Sequence, residues 1–152
     1  MFDLYDELSA LICRFERDKV PYALCGGMAM AVHGCVRATE DIDLLVPPEG
    51  LERALTAARA AGFDIGSPPA TFAGGAVIMH RVSKAEPGAG DLLVLDLLVV
   101  TPATAAIWDS RIRADWEHGT LTVLSSDGLI ALKSLRNSLQ DRADIARLRG
   151  EE

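Results

Sequence analysis

The sequence predicts an α+β fold in which helices cover a β-sheet. Two kinds of segment point to it. Apolar runs at residues 22–25, 41–46 and 91–100 have the composition and length of buried strands. Segments 2–17 and 51–61 carry apolar residues at helical spacing. Strands that alternate with amphipathic helices are expected to form stacked layers around one core.

Length, charge and cysteine content narrow the class of protein. A chain of 152 residues is expected to fold as one domain spanning 1–152, without disulfides. Its three cysteines are scattered and lack zinc-ligand spacing. The net charge of −7 argues against a broad basic surface for nucleic acid. With no signal-peptide pattern and no long apolar window, the chain is expected to be cytoplasmic and not membrane-bound.

The first two elements lead to a pair of glycines. An amphipathic helix is predicted over residues 2–17, and Lys19-Val20-Pro21 ends it. A short strand at residues 22–25 then stops at Gly26 and Gly27, before a helical turn or two. Backbone N–H groups between a strand and a helix suit a phosphate, although the same pair also serves a plain turn.

Two carboxylates follow on the next predicted strand, Asp41-Ile42-Asp43-Leu44-Leu45-Val46. Residues two apart on a strand face the same side, so Asp41 and Asp43 are expected to project together. Neighbouring carboxylates repel each other unless a cation lies between them. A hard cation with oxygen ligands, above all Mg²⁺, removes that repulsion.

These residues together resemble a known signature. Gly26-Gly27, a gap of thirteen residues and Asp-Ile-Asp-Leu are similar to the motif of the nucleotidyltransferase superfamily related to DNA polymerase beta. The string from Gly26 to Ala29, with Arg37, Thr39 and the two aspartates, resembles the small bacterial branch. That branch includes AbiEii-type toxins, minimal nucleotidyltransferases and some aminoglycoside nucleotidyltransferases. The resemblance covers about residues 22–148 and implies a small mixed β-sheet flanked by helices.

The segment after this motif supplies a third carboxylate. A helix is predicted after Pro47-Pro48 and ends at Gly62, and residues 66–75 are expected to be a surface connection or a mobile flap. A strand at 76–82, a connection at 83–90 and a strand at 91–100 follow. Asp96 lies within that last apolar strand, where an unpaired carboxylate is costly, so it needs a partner. The resemblance implies that Asp96 completes a metal site; a structural ion pair is the alternative.

The rest of the chain is predicted to be mainly helical. A helix is expected from Thr101-Pro102 through Ile112, a strand at 121–124, and two helices within residues 126–148. The prediction therefore divides the domain into an N-terminal helix, a core at 22–100 that holds the metal site, and C-terminal helices.

Lys133 lies in an apolar run of the first C-terminal helix. With Arg136, Asp141 and Asp144 it resembles the closing motif of the AbiEii-like branch. The resemblance implies that Lys133 meets nucleotide phosphates and that the aspartates tie the helices together or to the lysine. The alternative is a snorkelling lysine among ordinary surface charges.

The resemblance implies a nucleotidyltransferase that binds ATP or another NTP and two Mg²⁺ ions. Asp41, Asp43 and Asp96 would be the catalytic metal ligands. Gly26, Gly27, Arg37, Thr39 and Lys133 would contact the nucleotide, although Arg37 and Thr39 also suit a role in loop structure. The family commonly has serine where Gly27 stands, so one hydroxyl contact to phosphate is expected to be missing.

The acceptor stays open at the level of sequence. A toxin of a toxin–antitoxin pair that modifies tRNA or protein is one expectation, with an antitoxin or a second copy as partner. An aminoglycoside-like small molecule suits the net charge of −7 better. A binding module that kept the fold without catalysis is the third reading.

Overall fold

The computed structural model describes residues 2–88 and 90–151, and it confirms the predicted α+β class. The helices are α1 (Leu4–Arg17), α2 (Gly26–Val32), α3 (Leu51–Ala60), α4 (Ala105–Asp109), α5 (Ser126–Arg136) and α6 (Leu139–Leu148). The strands are β1 (Ala23–Cys25), β2 (Asp41–Val46), β3 (Ile65–Gly66), β4 (Ala70–Phe72), β5 (Val77–Ala85), β6 (Leu92–Val99), β7 (Arg111–Trp116) and β8 (Gly119–Leu124). Short 3-10 turns lie at Pro48–Gly50, Ala73–Gly75 and Pro102–Thr104.

The described strands form one mixed sheet, in the order β3-β5-β6-β2-β1-β8-β7, with β4 also paired to β5. Strand β2 runs parallel to β6, and β1 runs parallel to β8. The other pairs are antiparallel. The parallel pairing of β2 with β6 sets Asp43 opposite Asp96, so two distant sequence segments meet at one point of the sheet.

The core is built on the central strands and the apolar face of α1. Leu24, Leu44 and Leu95 on β1, β2 and β6 are fully buried. The predicted apolar face of α1 is buried as well, at Leu8, Leu11, Ile12 and Phe15. The helix begins after Asp3, whose carboxylate accepts hydrogen bonds from the backbone N–H groups of Tyr5 and Asp6.

The two C-terminal helices are confirmed, and their caps fix how they meet. Ser125 caps α5 through Gly128 N–H, and Ser138 forms a capping box with Asp141 at the start of α6. Between the helices Asn137 takes a left-handed conformation with φ of 52°. This tight connection packs α6 against α5 and brings Asp144 to Lys133.

The prediction that residues 66–75 are a surface connection or a flap is wrong in part, because it misses two short strands. Residues 65–66 and 70–72 form the short strands β3 and β4, both antiparallel to β5. The predicted connection at 83–90 is also too long, because β5 continues to Ala85; Ala89 lies outside the described residues. Cross-strand hydrogen bonds order this part of the chain despite its glycine and proline content.

The prediction of one helix through Ile112 is wrong as well. Helix α4 ends at Asp109, and Ile112 lies on β7, which forms a hairpin with β8. Residues 111–116 alternate charged and apolar side chains, a period of two that favours a strand over a helix. Within the described residues, no helix is both long and apolar enough to cross a membrane.

Candidate active site

The carboxylates predicted from the sequence line one cavity of about 520 Å³. Small-molecule sites commonly have volumes of roughly 300–1,000 Å³. Strands β2, β5 and β6, the start of α2, and helices α5 and α6 contribute to its walls. All eight predicted site residues line it: Gly26, Gly27, Arg37, Thr39, Asp41, Asp43, Asp96 and Lys133.

Asp41 and Asp43 lie two residues apart on β2, and Asp43 is the register partner of Asp96 on β6. Loss of solvation, then the charges of Asp96 and Asp41, raise the pKa of Asp43 to about 7. Burial and the Asp96 charge also raise the pKa of Asp41. The cavity therefore holds negative charge that the surrounding protein does not fully compensate.

The sequence predicts that Asp96 needs a partner, and in the structure this partner is Arg81 on β5. The sequence patterns do not identify Arg81 in that role. It is the register partner of Asp96, and its Nε and Nη2 donate to the two carboxylate oxygens at 2.8 and 3.0 Å. The side chain of Asp96 is 6% exposed and that of Arg81 is 41% exposed. The available signal is that Arg81 is the one arginine or lysine in the strand predicted at residues 76–82.

The donor set fits a hard divalent cation at Asp41 and Asp43, whose mutual repulsion such an ion would relieve. Asp96 differs, because both of its oxygens accept hydrogen bonds from Arg81. Across residues 2–88 and 90–151, no group of three or more His, Cys, Asp or Glu side chains is arranged to hold a metal ion. Each Asp96 oxygen keeps a second lone pair, so Asp96 could ligate an ion while it stays paired with Arg81.

The glycine pair brings backbone close to the carboxylates. Gly26 has φ of 70°, and a Cβ there would overlap the carboxylate of Asp43. A Cβ on Gly27 would lie 2.7 Å from Oγ1 of Thr39 and 3.3 Å from Cζ of Arg37. The Thr39 hydroxyl thus lies beside the space that a side chain at position 27 would fill.

Asp144 organises the opposite wall of the cavity. Arg37 donates to its two oxygens at 2.9 and 3.0 Å, Lys133 Nζ donates at 2.8 Å, and Gln140 Nε2 donates at 2.8 Å. Burial alone would raise the pKa of Asp144, but the hydrogen bonds from Lys133 and Arg37 lower it. Two cations from distant parts of the chain are therefore fixed beside the cavity by one buried carboxylate.

Arg136 is held more loosely than Arg37 and Lys133. Its side chain is 51% exposed, and its Nε lies 3.8 Å from Asp141 Oδ2, longer than a hydrogen bond. Its guanidinium carbon lies 5.6 Å from the centre of the Phe72 ring. His33 does not line this cavity in the part of the chain that is described; its Nε2 lies 2.8 Å from the carbonyl oxygen of Leu124.

Comparison with known proteins adds information on the fold. No protein-family model and no curated protein matches the sequence. A solved protein of Thermotoga maritima, provisionally named a nucleotidyltransferase, aligns with a TM-score of 0.68 and 12% identity over 97% of this chain and 93% of its own. The chain has the nucleotidyltransferase fold. This finding agrees with the fold that the sequence resemblance implies, whereas the AbiEii-type branch stays a prediction.

Two Helicobacter pylori structures share this nucleotidyltransferase fold. JHP933 gives a TM-score of 0.62 at 16% identity, over 96% of this chain and 64% of its own. A second protein, also provisionally named a nucleotidyltransferase, gives 0.53 at 16% identity, over 85% of this chain and 55% of its own. The chain thus spans about two thirds and just over half of these longer proteins.

Proposed function

We propose that this protein is a magnesium-dependent nucleotidyltransferase, which moves a nucleoside monophosphate from an NTP to an acceptor hydroxyl and releases pyrophosphate. The observation that carries the proposal is the meeting of Asp41, Asp43 and Asp96 on two adjacent parallel strands, in a cavity that also has four basic side chains on its walls. Carboxylates without enough compensating charge, beside cations suited to phosphate, are what this reaction requires.

The reaction divides among the residues of the cavity. The acceptor oxygen forms a bond to the α-phosphorus, the bond from that phosphorus to pyrophosphate breaks, and the acceptor proton passes to Asp96. Two Mg²⁺ ions held by Asp41, Asp43 and Asp96 would supply charge neutralisation for the phosphates and the attacking oxygen. Arg81 would hold Asp96 in place for that role, because its two hydrogen bonds occupy only one lone pair on each carboxylate oxygen.

The basic wall is suited to the triphosphate. Lys133 and Arg37 keep fixed positions through Asp144, so little side-chain freedom would be lost when phosphate binds. Arg136 is more exposed and lies beside the Phe72 ring, so it is held less tightly than these two cations. Gly26 and Gly27 let the side chains of Asp43 and Thr39 pack directly against the backbone, and Thr39 offers the hydroxyl nearest to position 27.

The proposal leaves two classes of acceptor molecule. The toxin reading, with tRNA or protein as acceptor, rests on the resemblance of Lys133, Arg136, Asp141 and Asp144 to the closing motif described above. The net charge of −7 favours a small cationic acceptor, which an acidic protein attracts and which needs no broad basic surface.

The test is incubation of the purified protein with Mg²⁺, each labelled NTP, and separate pools of tRNA, protein lysate and aminoglycosides. We expect label to enter one pool, which names the acceptor class. The Asp41→Ala/Asp43→Ala variant is expected to transfer none. Asp64→Asn, which changes an exposed carboxylate away from the cavity lining, is the matched control and is expected to keep full transfer.

Binding provides a second readout that does not depend on the acceptor. NTP with Mg²⁺ should raise the melting temperature of the wild type and of Asp64→Asn, but not that of the double variant. If no pool is labelled and NTP gives no Mg²⁺-dependent stabilisation, the catalytic proposal fails. A binding module that uses the same fold would then be the better reading.

A further inference from the structure

One end of the cavity is apolar, and the charge chemistry above does not use it. Phe72 on β4 and Met79 on β5 line the cavity together with the carboxylates. Phe72 is 37% exposed although it is a large apolar side chain. Met79 lies two residues before Arg81 on β5, so both side chains project from the same face of the sheet.

The turn after β4 places Phe72 at this position. Ala73, Gly74 and Gly75 all have positive φ, at 53°, 66° and 94°. This tight left-handed turn returns the chain into β5, and Phe72 pairs directly with Val77. The ring is therefore held on an ordered hairpin and not on a free loop.

Arg136 reaches the same place from helix α5. Its guanidinium carbon lies 5.6 Å from the centre of the Phe72 ring, within the range of a cation–π contact. The half-exposed Arg136 side chain borders both the aromatic face and the phosphate-binding wall. The apolar end of the cavity is thus lined by the Phe72 ring, the Met79 thioether and the Arg136 guanidinium. It adjoins the basic wall that is suited to phosphate.

We infer that Phe72, Met79 and Arg136 form a platform on which a nucleobase stacks. This inference rests on the proposed function and names a subsite within it. A nucleobase is planar and has a π-face. Stacking on an aromatic ring or on the plane of an arginine guanidinium therefore stabilises binding of any of the bases. A nucleotide with its phosphates at the basic wall would present its base to this apolar end.

The test separates base binding from phosphate binding. A non-hydrolysable NTP analogue and inorganic tripolyphosphate are titrated, each with Mg²⁺, into the wild type, Phe72→Leu and Phe72→Trp. Phe72→Leu keeps an apolar side chain but removes the π-face. We expect it to weaken binding of the NTP analogue at least about ten-fold and to leave tripolyphosphate binding unchanged. Phe72→Trp is expected to restore the affinity.

Two further readouts identify the role and the source of the base. In Phe72→Trp, the NTP analogue should quench tryptophan fluorescence beyond the wild-type response, while tripolyphosphate should not. If Phe72→Leu weakens binding of a short single-stranded RNA and leaves NTP binding unchanged, the platform holds the acceptor base. Ile65→Ala, an exposed apolar change on β3 outside the cavity lining, is the control and should alter neither affinity.

The outcomes distinguish the platform from the proposed function. Normal tripolyphosphate binding, with NTP and RNA affinities that do not depend on residue 72, would overturn the platform alone. An equal loss of tripolyphosphate binding in Phe72→Leu would also overturn it, because it would show a structural role. A wild type that binds neither tripolyphosphate nor NTP would overturn the proposed function and the platform with it.

Discussion

The two charged walls of the cavity differ in how well their charges are compensated. On the sheet, the carboxylates of Asp41 and Asp43 both have raised pKa values. On the helices, Asp144 accepts hydrogen bonds from Arg37, Lys133 and Gln140, and its pKa is lowered. Both walls contain partly or fully buried aspartate. Only on the sheet wall would an additional cation relieve the repulsion between carboxylates. The comparison separates a wall suited to binding cations from a wall whose own cations are already fixed by a buried carboxylate.

The largest expected effect is on the helix wall. Asp144→Asn would leave Lys133 buried, with only 8% of its side chain exposed, and without a charged partner. Breaking such a buried pair typically costs about 3–5 kcal/mol of the free energy of unfolding. Urea unfolding in EDTA would measure the loss. Asp141→Asn, one turn earlier on α6, is the matched control and is expected to cost only about 1 kcal/mol through the weakened cap.

The stability contribution of Asp144 also has a defined pH dependence. Because its folded pKa is lowered, its contribution is present above the pKa of an unfolded aspartate and is lost as the pH falls through the folded value. The gap between wild type and Asp144→Asn should therefore narrow in acid. A gap that stays constant from neutral to acid pH would show that Asp144 does not act through its charge.

The second effect has the opposite sign and is on the sheet wall. Burial and neighbouring carboxylates raise the pKa of Asp43 to about 7, so its contribution to stability is present in acid and is lost as the pH rises through that value. In EDTA at pH 8, Asp43→Asn is expected to be more stable than the wild type by up to about 4 kcal/mol. The difference should shrink towards pH 5, as urea unfolding at each pH would show.

Magnesium sharpens the same comparison. At pH 8, Mg²⁺ is expected to stabilise the wild type, because the ion replaces the proton that Asp43 favours; at pH 5 it should do little. Asp43→Asn should respond weakly at both values, since a carboxamide carries no charge. A variant that matches the wild type in EDTA at every pH would contradict the claim that this wall lacks compensating charge.

The two walls were also unequally predictable from the sequence. Asp41 and Asp43 could be placed on one face because residues two apart on a strand share a side, and the apolar run around Asp96 marked a buried strand. Both inferences depend only on neighbours along the chain. The alternation at residues 111–116 contains an equally local signal for β7, although the predicted helix extends through Ile112.

The contacts of the helix wall could not be predicted in this way. Arg37 and Asp144 are 107 residues apart in the sequence, and periodicity does not determine which helix face meets which loop. Arg81 pairs with Asp96 only because β5 and β6 adopt one particular register. Local pattern therefore gave the strands and their carboxylates, whereas the cations that complete the cavity depend on tertiary packing.

The smallest of the three expected effects concerns Arg81. Because of Arg81, Asp96 on the sheet wall has a cationic partner, as Asp144 has on the helix wall. The Arg81 ion pair gives Asp96 the compensation that Asp41 and Asp43 lack, so Arg81→Met should convert Asp96 into a third uncompensated carboxylate. Because 41% of the Arg81 side chain is exposed, the loss in EDTA should be about 2 kcal/mol, below the value for a fully buried pair. Mg²⁺ should restore more stability to Arg81→Met than it adds to the wild type.

Lys84→Met removes the other cation of β5, which pairs with Glu7 at 3.0 Å outside the cavity lining, and should gain no such response. Equal magnesium responses in the two variants would mean that Arg81 does not supply the charge compensation of Asp96.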